Sequence, residues 1–341
     1  MEQYAGLDVS LEETAICVVD GTGAVVREGV VESDPEAIGR FLEPYRGRVK
    51  RVGLEAGGLS PWLWHGLDGL AWPVICIEPR RMHAYAKASP VKTDRRDARL
   101  IAQAMRAGMF VAVHVKSSDG QRLRMLLSSR QALLSAARRL QVKLRGDLRP
   151  FGIKLGQVGS GGFAGRVRAR LAERPELWAL AEPVLLARAA LLAQLLVLDR
   201  QVRQAAAKDA VCRRLMTAPG VGPVVALAFR SGVDSLHRFP RTRAVAALFG
   251  LVPRVHQSGQ VDRAGAISKA GDPMVRSLLF EAANALLTRT KGFSALKRWG
   301  LAVAKRRGMN RARVAVARRL AVILLAMWRE GTDFRWTASP A

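Results

Sequence analysis

A chain of 341 residues is long enough to bury real hydrophobic cores and to hold two or three domains. Its composition, 49% hydrophobic and 24% charged, is globular and excludes a largely disordered chain. The 55 Lys and Arg outnumber the 28 Asp and Glu, so the formal net charge of +27 calls for a polyanionic partner.

The N-terminus MEQYAGLDVS is acidic and reads as a strand rather than a signal peptide. Residues 3–9, 14–20 and 24–31 are three short β-rich runs, the last two joined by the hairpin signal Asp20-Gly21-Thr22-Gly23. Asp34 is placed to cap a helix with Pro35 at its first position, running to about Tyr45. RVGLEA (51–56) is a fourth strand, Ser60-Pro61 opens a helix, WPVICIE (72–78) is a fifth strand, and a helix runs from Asp94 to about Ala107. Antiparallel strands followed by alternating strands and helices predict an α/β domain over residues 1–112.

Residues 113–210 read as a helical arm. One helix runs from about Ser118 to Leu144, a Gly-rich break follows at 156–164, and a second helix, interrupted near Pro175 and Pro183, runs toward Ala210. An antiparallel coiled coil and a plain supporting hairpin fit this pattern equally. The apolar runs around 184–198 and 320–328 are broken or bounded by Arg188, Arg318 and Arg319. They are expected to be core helices of a soluble, cytoplasmic, nucleoid-associated protein without membrane contact. From residue 211 to 341 a mainly α-helical domain is expected. It holds a tight turn in TAPGVGPVVAL (217–227), a long loop-rich stretch at 250–273, and helices around 274–289 and 310–329.

Cys17, Cys76 and Cys212 are far apart and lack metal-ligand spacing, so neither a disulfide framework nor a zinc site is expected. Trp62, Trp64 and Trp72 are assigned to core or helix packing, and His65, His83 and His114 to structure. The charge is uneven: residues 1–110 hold 14 basic and 15 acidic side chains, the remainder 41 and 13. That split predicts chemistry in the first part and polyanion binding in the rest.

The chemistry is carried by acids. Asp8 ends the first strand and Glu55 the fourth, so both meet at one edge if those strands are neighbours. Asp94 and Asp97, in KTDRRDA, are three apart and share a helix face. Four converging carboxylates form a hard-oxygen site for Mg²⁺ or Mn²⁺, suited to phosphoryl transfer. The competing readings are an N-cap at Asp94 with Asp97 complementing the helix dipole, and solvated strand ends at Asp8 and Glu55.

The order of hairpin strands with Asp8, strand with Glu55, and then KTDRRDA resembles the RuvC-like, ribonuclease-H-type catalytic domain. More narrowly, it resembles the DEDD transposases of the insertion-sequence-110 family, related to pilin-gene inverting recombinases. PGVG, GLVPRVHQSG and ISKAGDPMVRSLLFEAA resemble that family's C-terminal transposase domain. The resemblance implies a Mg²⁺-dependent DNA recombinase acting on double-stranded DNA, partnered by a non-coding bridge RNA as guide. It implies Asp8, Glu55, Asp94 and Asp97 as metal-coordinating acids and Ser258 as a nucleophile forming a phosphoserine link. A loop serine beside Gly259 is otherwise a turn residue, and His256 is the neighbouring candidate base. Ser268 is the fallback nucleophile. Strand exchange between two duplexes implies a homo-oligomer, a dimer or tetramer, with the two domains sharing one active site.

Polyanion contacts are expected at Gly220 and Gly222, as a helix–hairpin–helix-like turn or a plain Gly-rich connection. They are also expected at Lys269, at Arg311, Arg313, Arg318 and Arg319 of the last helix, and at Lys305, Arg306 and Arg307 before it. Arg138, Arg139, Lys143 and Arg145 on the arm are candidates for RNA. Three rival readings are an actin-like kinase or ATPase, a non-catalytic architectural nucleic-acid-binding protein, and a junction-resolving nuclease that needs no serine.

Overall fold

The computed structural model describes residues 1–86, 93–258 and 261–336 of the chain, in two units, Met1–Lys116 and Ser117–Ala341. The first unit is built on a sheet. Strands β1 (Gln3–Val9), β2 (Glu13–Asp20) and β3 (Val25–Glu32) form an antiparallel meander. Helix α1 (Pro35–Leu42) follows, capped by the Asp34 carboxylate, which accepts from the amides of Glu36 and Ala37, with Pro35 in the first turn as the sequence predicts. Strand β4 (Val49–Glu55), helix α2 (Ser60–Gly69), strand β5 (Val74–Ile77), helix α3 (Pro79–Ala86) and helix α4 (Asp94–Ala107) complete the alternation. The strand order is β3-β2-β1-β4-β5, with β4 parallel to both β1 and β5.

Period-2 patterning buries both faces of the central strands. Ala5, Leu7, Ile16, Val18, Val52 and Leu54 pack with Ile38, Leu42, Leu63 and Leu67 of α1 and α2. On the opposite face Ala15, Cys17 and Val19 pack against Ala98 and Ala102 of α4. Trp64 donates from Nε1 to the Val74 carbonyl, and Trp72 is buried. Trp62, assigned to packing, is instead 51% exposed, because the α2 face that packs is the one holding Leu63 and Leu67.

The second unit is mostly helical. Helices α5 (Ser118–Asp147) and α7 (Pro175–Lys208) run antiparallel: Arg130 Nε donates to Asp199 at 2.6 Å, and Arg188 to Gln141 at 3.0 Å. Helix α6 (Phe163–Arg170) closes one end of the pair with a small core of Leu144, Leu148, Phe163, Val167, Leu177 and Leu185. Pro183 does not interrupt α7, contrary to expectation. Pro183 and Ala179, whose carbonyl loses its usual donor, both lie on the exposed side, where water replaces the missing bond. By length and composition α7 is apolar enough to cross a membrane, yet its Arg188 is buried against neighbouring protein groups.

Helices α8 (Ala210–Leu215), α9 (Pro223–Val233) and α10 (Val245–Leu248) lead into strands β6 (Pro253–Ser258) and β7 (Val261–Ile267). Helices α11 (Pro273–Thr288), α12 (Ala295–Arg307) and α13 (Met309–Glu330) end the fold, with Leu320, Ala321, Leu324 and Leu325 of α13 fully buried in its core. The stretch read as loop-rich is therefore an antiparallel pair in which Ser258 faces Val261. Lys305, Arg306 and Arg307 form the last turn of α12, where cations complement the helix dipole.

Candidate active site

The β1–β4 register decides how the first two acids relate. Leu7 pairs with Leu54, so Asp8 and Glu55 each lie one residue further along adjacent parallel strands. Alternation puts Asp8 on the face of Gly6, and Glu55 on the face of Gly53. Both glycines face α4: a Cβ on Gly6 would meet the Ala98 carbonyl and the Ala102 amide, and one on Gly53 would meet Met105 and Ile101. Asp8 and Glu55 are thus half-buried at the carboxyl ends of neighbouring strands, on the α4 side.

Helix α4 runs antiparallel to these strands, since Arg51, early in β4, donates to the Met105 carbonyl near the helix's end. Its N-terminal turn therefore reaches the strand ends. Asp8 and Asp94 line one cavity of about 350 Å³, together with Ser10, Glu13, Thr93 and Arg95. The N-cap is Thr93, whose hydroxyl accepts from the Arg96 amide, so Asp94 is not the cap but the first helical residue. Asp97 follows one turn on and is half-buried. Glu13 was missed in the sequence. It reaches this end of the sheet because the Asp8–Ala15 pairing puts positions 13 and 15 on Asp8's face.

Among the described residues no three His, Cys, Asp or Glu side chains stand close enough together to hold a metal ion. The backbone brings hard-oxygen donors of the kind Mg²⁺ or Mn²⁺ prefers to one end of the sheet, while the carboxylates themselves do not form a closed ligand set.

Ser258 is the last residue of β6 rather than a loop serine, and His256 precedes it by two residues on that strand. Gly259 lies outside the described residues. Ser268 follows β7, its amide donating to the Val252 carbonyl.

The basic candidates separate in space. Arg311, Arg318 and Arg319 line an open groove of about 1220 Å³, together with Arg307, also expected from the sequence, and Arg243, which the sequence did not single out. Arg313 does not line it; it donates to Asn310, because two residues along a helix turn a side chain some 200° away. Lys269 is exposed, in a left-handed conformation of φ 55°. Gly220, at φ 83°, packs so tightly on α11 that a Cβ would lie 2.3 Å from the Ala282 carbonyl, so helix packing accounts for it. Gly222 is the N-cap of α9, with open space around it. On α5, Lys143 pairs with Asp147, and Arg145 donates to the Gly156 carbonyl, whereas Arg138 and Arg139 are exposed.

Two family models match the chain. One, described as a transposase of the IS110 DEDD type, covers residues 5–151; the other, described as the transposase of the IS116/IS110/IS902 family, covers residues 212–298. The transposase for insertion sequence element IS1111A of Coxiella burnetii is 30% identical over 340 residues, spanning 97% of this chain and 90% of that protein. A protein of Pseudomonas aeruginosa named as a family 20 transposase is 30% identical over 290 residues, 83% of this chain and 85% of its own length.

Proposed function

Because the chain belongs to the IS110/IS116/IS902 family of insertion-sequence transposases, DNA-processing enzymes whose DEDD domain points to a divalent-metal requirement, we propose that it cuts and rejoins DNA as an RNA-guided serine recombinase. In this reading Asp8, Glu55, Asp94 and Asp97 hold the metal, and Ser258 is the nucleophile. The observation that carries it is that Asp8 and Glu55 end neighbouring parallel strands, with the first turn of α4 beside Asp8. The strand order β3-β2-β1-β4-β5, with helices on both faces, supports a RuvC-like, ribonuclease-H-type domain. The antiparallel α5–α7 pair supports a coiled-coil arm.

Divalent ions held by these carboxylates would supply charge neutralisation at the scissile phosphate and would acidify a hydroxyl beside it. The Ser258 Oγ bonds to phosphorus, the bond to the leaving deoxyribose oxygen breaks, and the strand is held as a phosphoserine ester. The serine proton passes to a base, for which His256 is the nearest residue in sequence. A non-coding guide RNA accounts for target choice by base pairing, and the excess of cations after residue 110 supports such a partner. Exchange of two duplexes needs several cleavage centres, and so a homo-oligomer.

The test uses purified full-length protein, Mg²⁺, its guide RNA and duplex carrying the element's own end. Wild type leaves a protein–DNA adduct that survives denaturation; Ser258→Ala binds DNA but leaves none, and Asp8→Asn does not cleave. Cleavage retained by Ser258→Ala would replace the recombinase with a junction-resolving nuclease.

A further inference from the structure

The groove on the second unit has a composition that binding to a duplex backbone does not explain. Five guanidinium groups, of Arg243, Arg307, Arg311, Arg318 and Arg319, stand along it, and among the described residues no carboxylate lines it. Among the described residues none of the five forms an ion pair. Between them the walls are apolar: Trp299, Val314, Val322 and Ile323, all half-buried. The Arg319 guanidinium lies over the Trp299 ring, 4.4 Å from its centroid, so the cation backed by the ring forms one layered platform on which a base can stack. The volume, about 1220 Å³, exceeds the roughly 300–1,000 Å³ of an ordinary small-ligand pocket, as a run of nucleotides requires.

Phosphates alone need only the cations. An apolar floor with an aromatic ring needs a flat, unpaired ring to cover it, and an unstacked base supplies one. We propose that this groove holds an unpaired stretch of nucleic acid, its phosphates on the arginines and a base inserted over the apolar floor beside Trp299. Pro253 and Ile267, at the open end of the β6–β7 pair, also line the groove, at the opposite end of β6 from Ser258. The inference rests on the nucleic-acid-processing reading above and adds the form of nucleic acid that this surface selects.

The experiment measures binding of full-length protein to four labelled probes: single-stranded DNA, single-stranded RNA, blunt duplex DNA, and the same duplex with one extrahelical base. Trp299→Leu keeps an apolar side chain but removes the stacking face. It is expected to weaken the single-stranded and extrahelical-base probes about tenfold and leave the blunt duplex unchanged. Arg311→Gln with Arg318→Gln is expected to weaken all probes and lower the salt dependence by about one counterion per arginine. Ala315→Leu narrows the apolar floor without changing the groove's charge. It reproduces the selective loss if Trp299→Leu proves unstable. Equal losses on all four probes in Trp299→Leu and Ala315→Leu would overturn base insertion while leaving a nucleic-acid groove. No loss in any variant would remove the groove from nucleic-acid binding, and wild type that binds none of the probes would instead defeat the underlying functional reading. The two single-stranded arms identify whether DNA or RNA occupies the groove.

Discussion

Gly6 of β1 lies directly beneath Ala98 of α4, where a Cβ would come within 2.2 Å of the Ala98 carbonyl oxygen. Hydrogen in place of a side chain lets the helix backbone ride on the strand. The same approach sets the first turn of α4 beside Asp8, two residues further along. Gly6→Ala must push the helix off the sheet and is expected to cost at least about 1–3 kcal/mol, as overpacking does. Urea unfolding should show the loss, and cleavage should fall with it; a stable, active Gly6→Ala protein would contradict the placement.

Metal binding offers a readout independent of turnover. Mn²⁺ at about a hundred times its dissociation constant should stabilise the wild type by about 2.7 kcal/mol in thermal melts. Asp8→Asn or Glu55→Gln should lose most of that increment, each measured against the same variant's melting without metal. Full Mn²⁺ stabilisation in both variants would take these two carboxylates out of the metal site.

Arg188 is 4% exposed, and its guanidinium donates to Gln141 Oε1, the Ser160 carbonyl and Ser160 Oγ while lying 5.2 Å from the Phe163 ring centroid. Burial lowers its pKa, yet these partners and the ring hold it in place. Arg188→Met keeps the stem but leaves the Ser160 and Gln141 acceptors without their donor, at about 1–3 kcal/mol. Hydrogen exchange should rise in residues 156–162, and unchanged exchange there would show that the arginine is not what ties down this segment.

The thiols give a pH signature. Burial, then the Glu28 carboxylate, pushes Cys17 up to about 12, and burial with Asp209 raises Cys212 as well. Native protein at pH 8.5 should therefore resist alkylation at both sites until it unfolds. Above pH 9 the unfolded chain releases thiol protons that the folded chain retains. Stability should thus be intact below the ordinary thiol range and fall as pH rises toward 12. Denaturant midpoints that stay level across that window would show the burial to be incomplete.

Where the candidate acids fall on their elements was legible locally. Alternating apolar residues with Asp8 and Glu55 at the strand ends, and two acids three apart at the head of a helix, are patterns of period 2 and 3.6 that survive without tertiary context. The sequence offers Asp94 as the cap, but the cap is Thr93, a residue as good at that position by type. Only the extended backbone at Thr93, φ −148°, decided between them.

Other features had no local signature. The Gly- and Pro-rich stretch at 250–273 reads as loop by composition, and its strands form because each satisfies the other's backbone hydrogen bonds. Pro183 signals a break, but a proline on the wet side of a long packed helix loses one bond that water replaces.

The amino-acid sequence by itself determined which side chains carry charge and which elements they ride on, because helix and strand periodicity act between near neighbours. The register that sets Asp8 beside Glu55, the crossing of Gly6 beneath Ala98, and the separation of Arg313 from the groove arginines were decided only by the tertiary structure. Each depends on where distant backbones come to rest against one another, and that is settled by burial over the whole core rather than by any short stretch of chain.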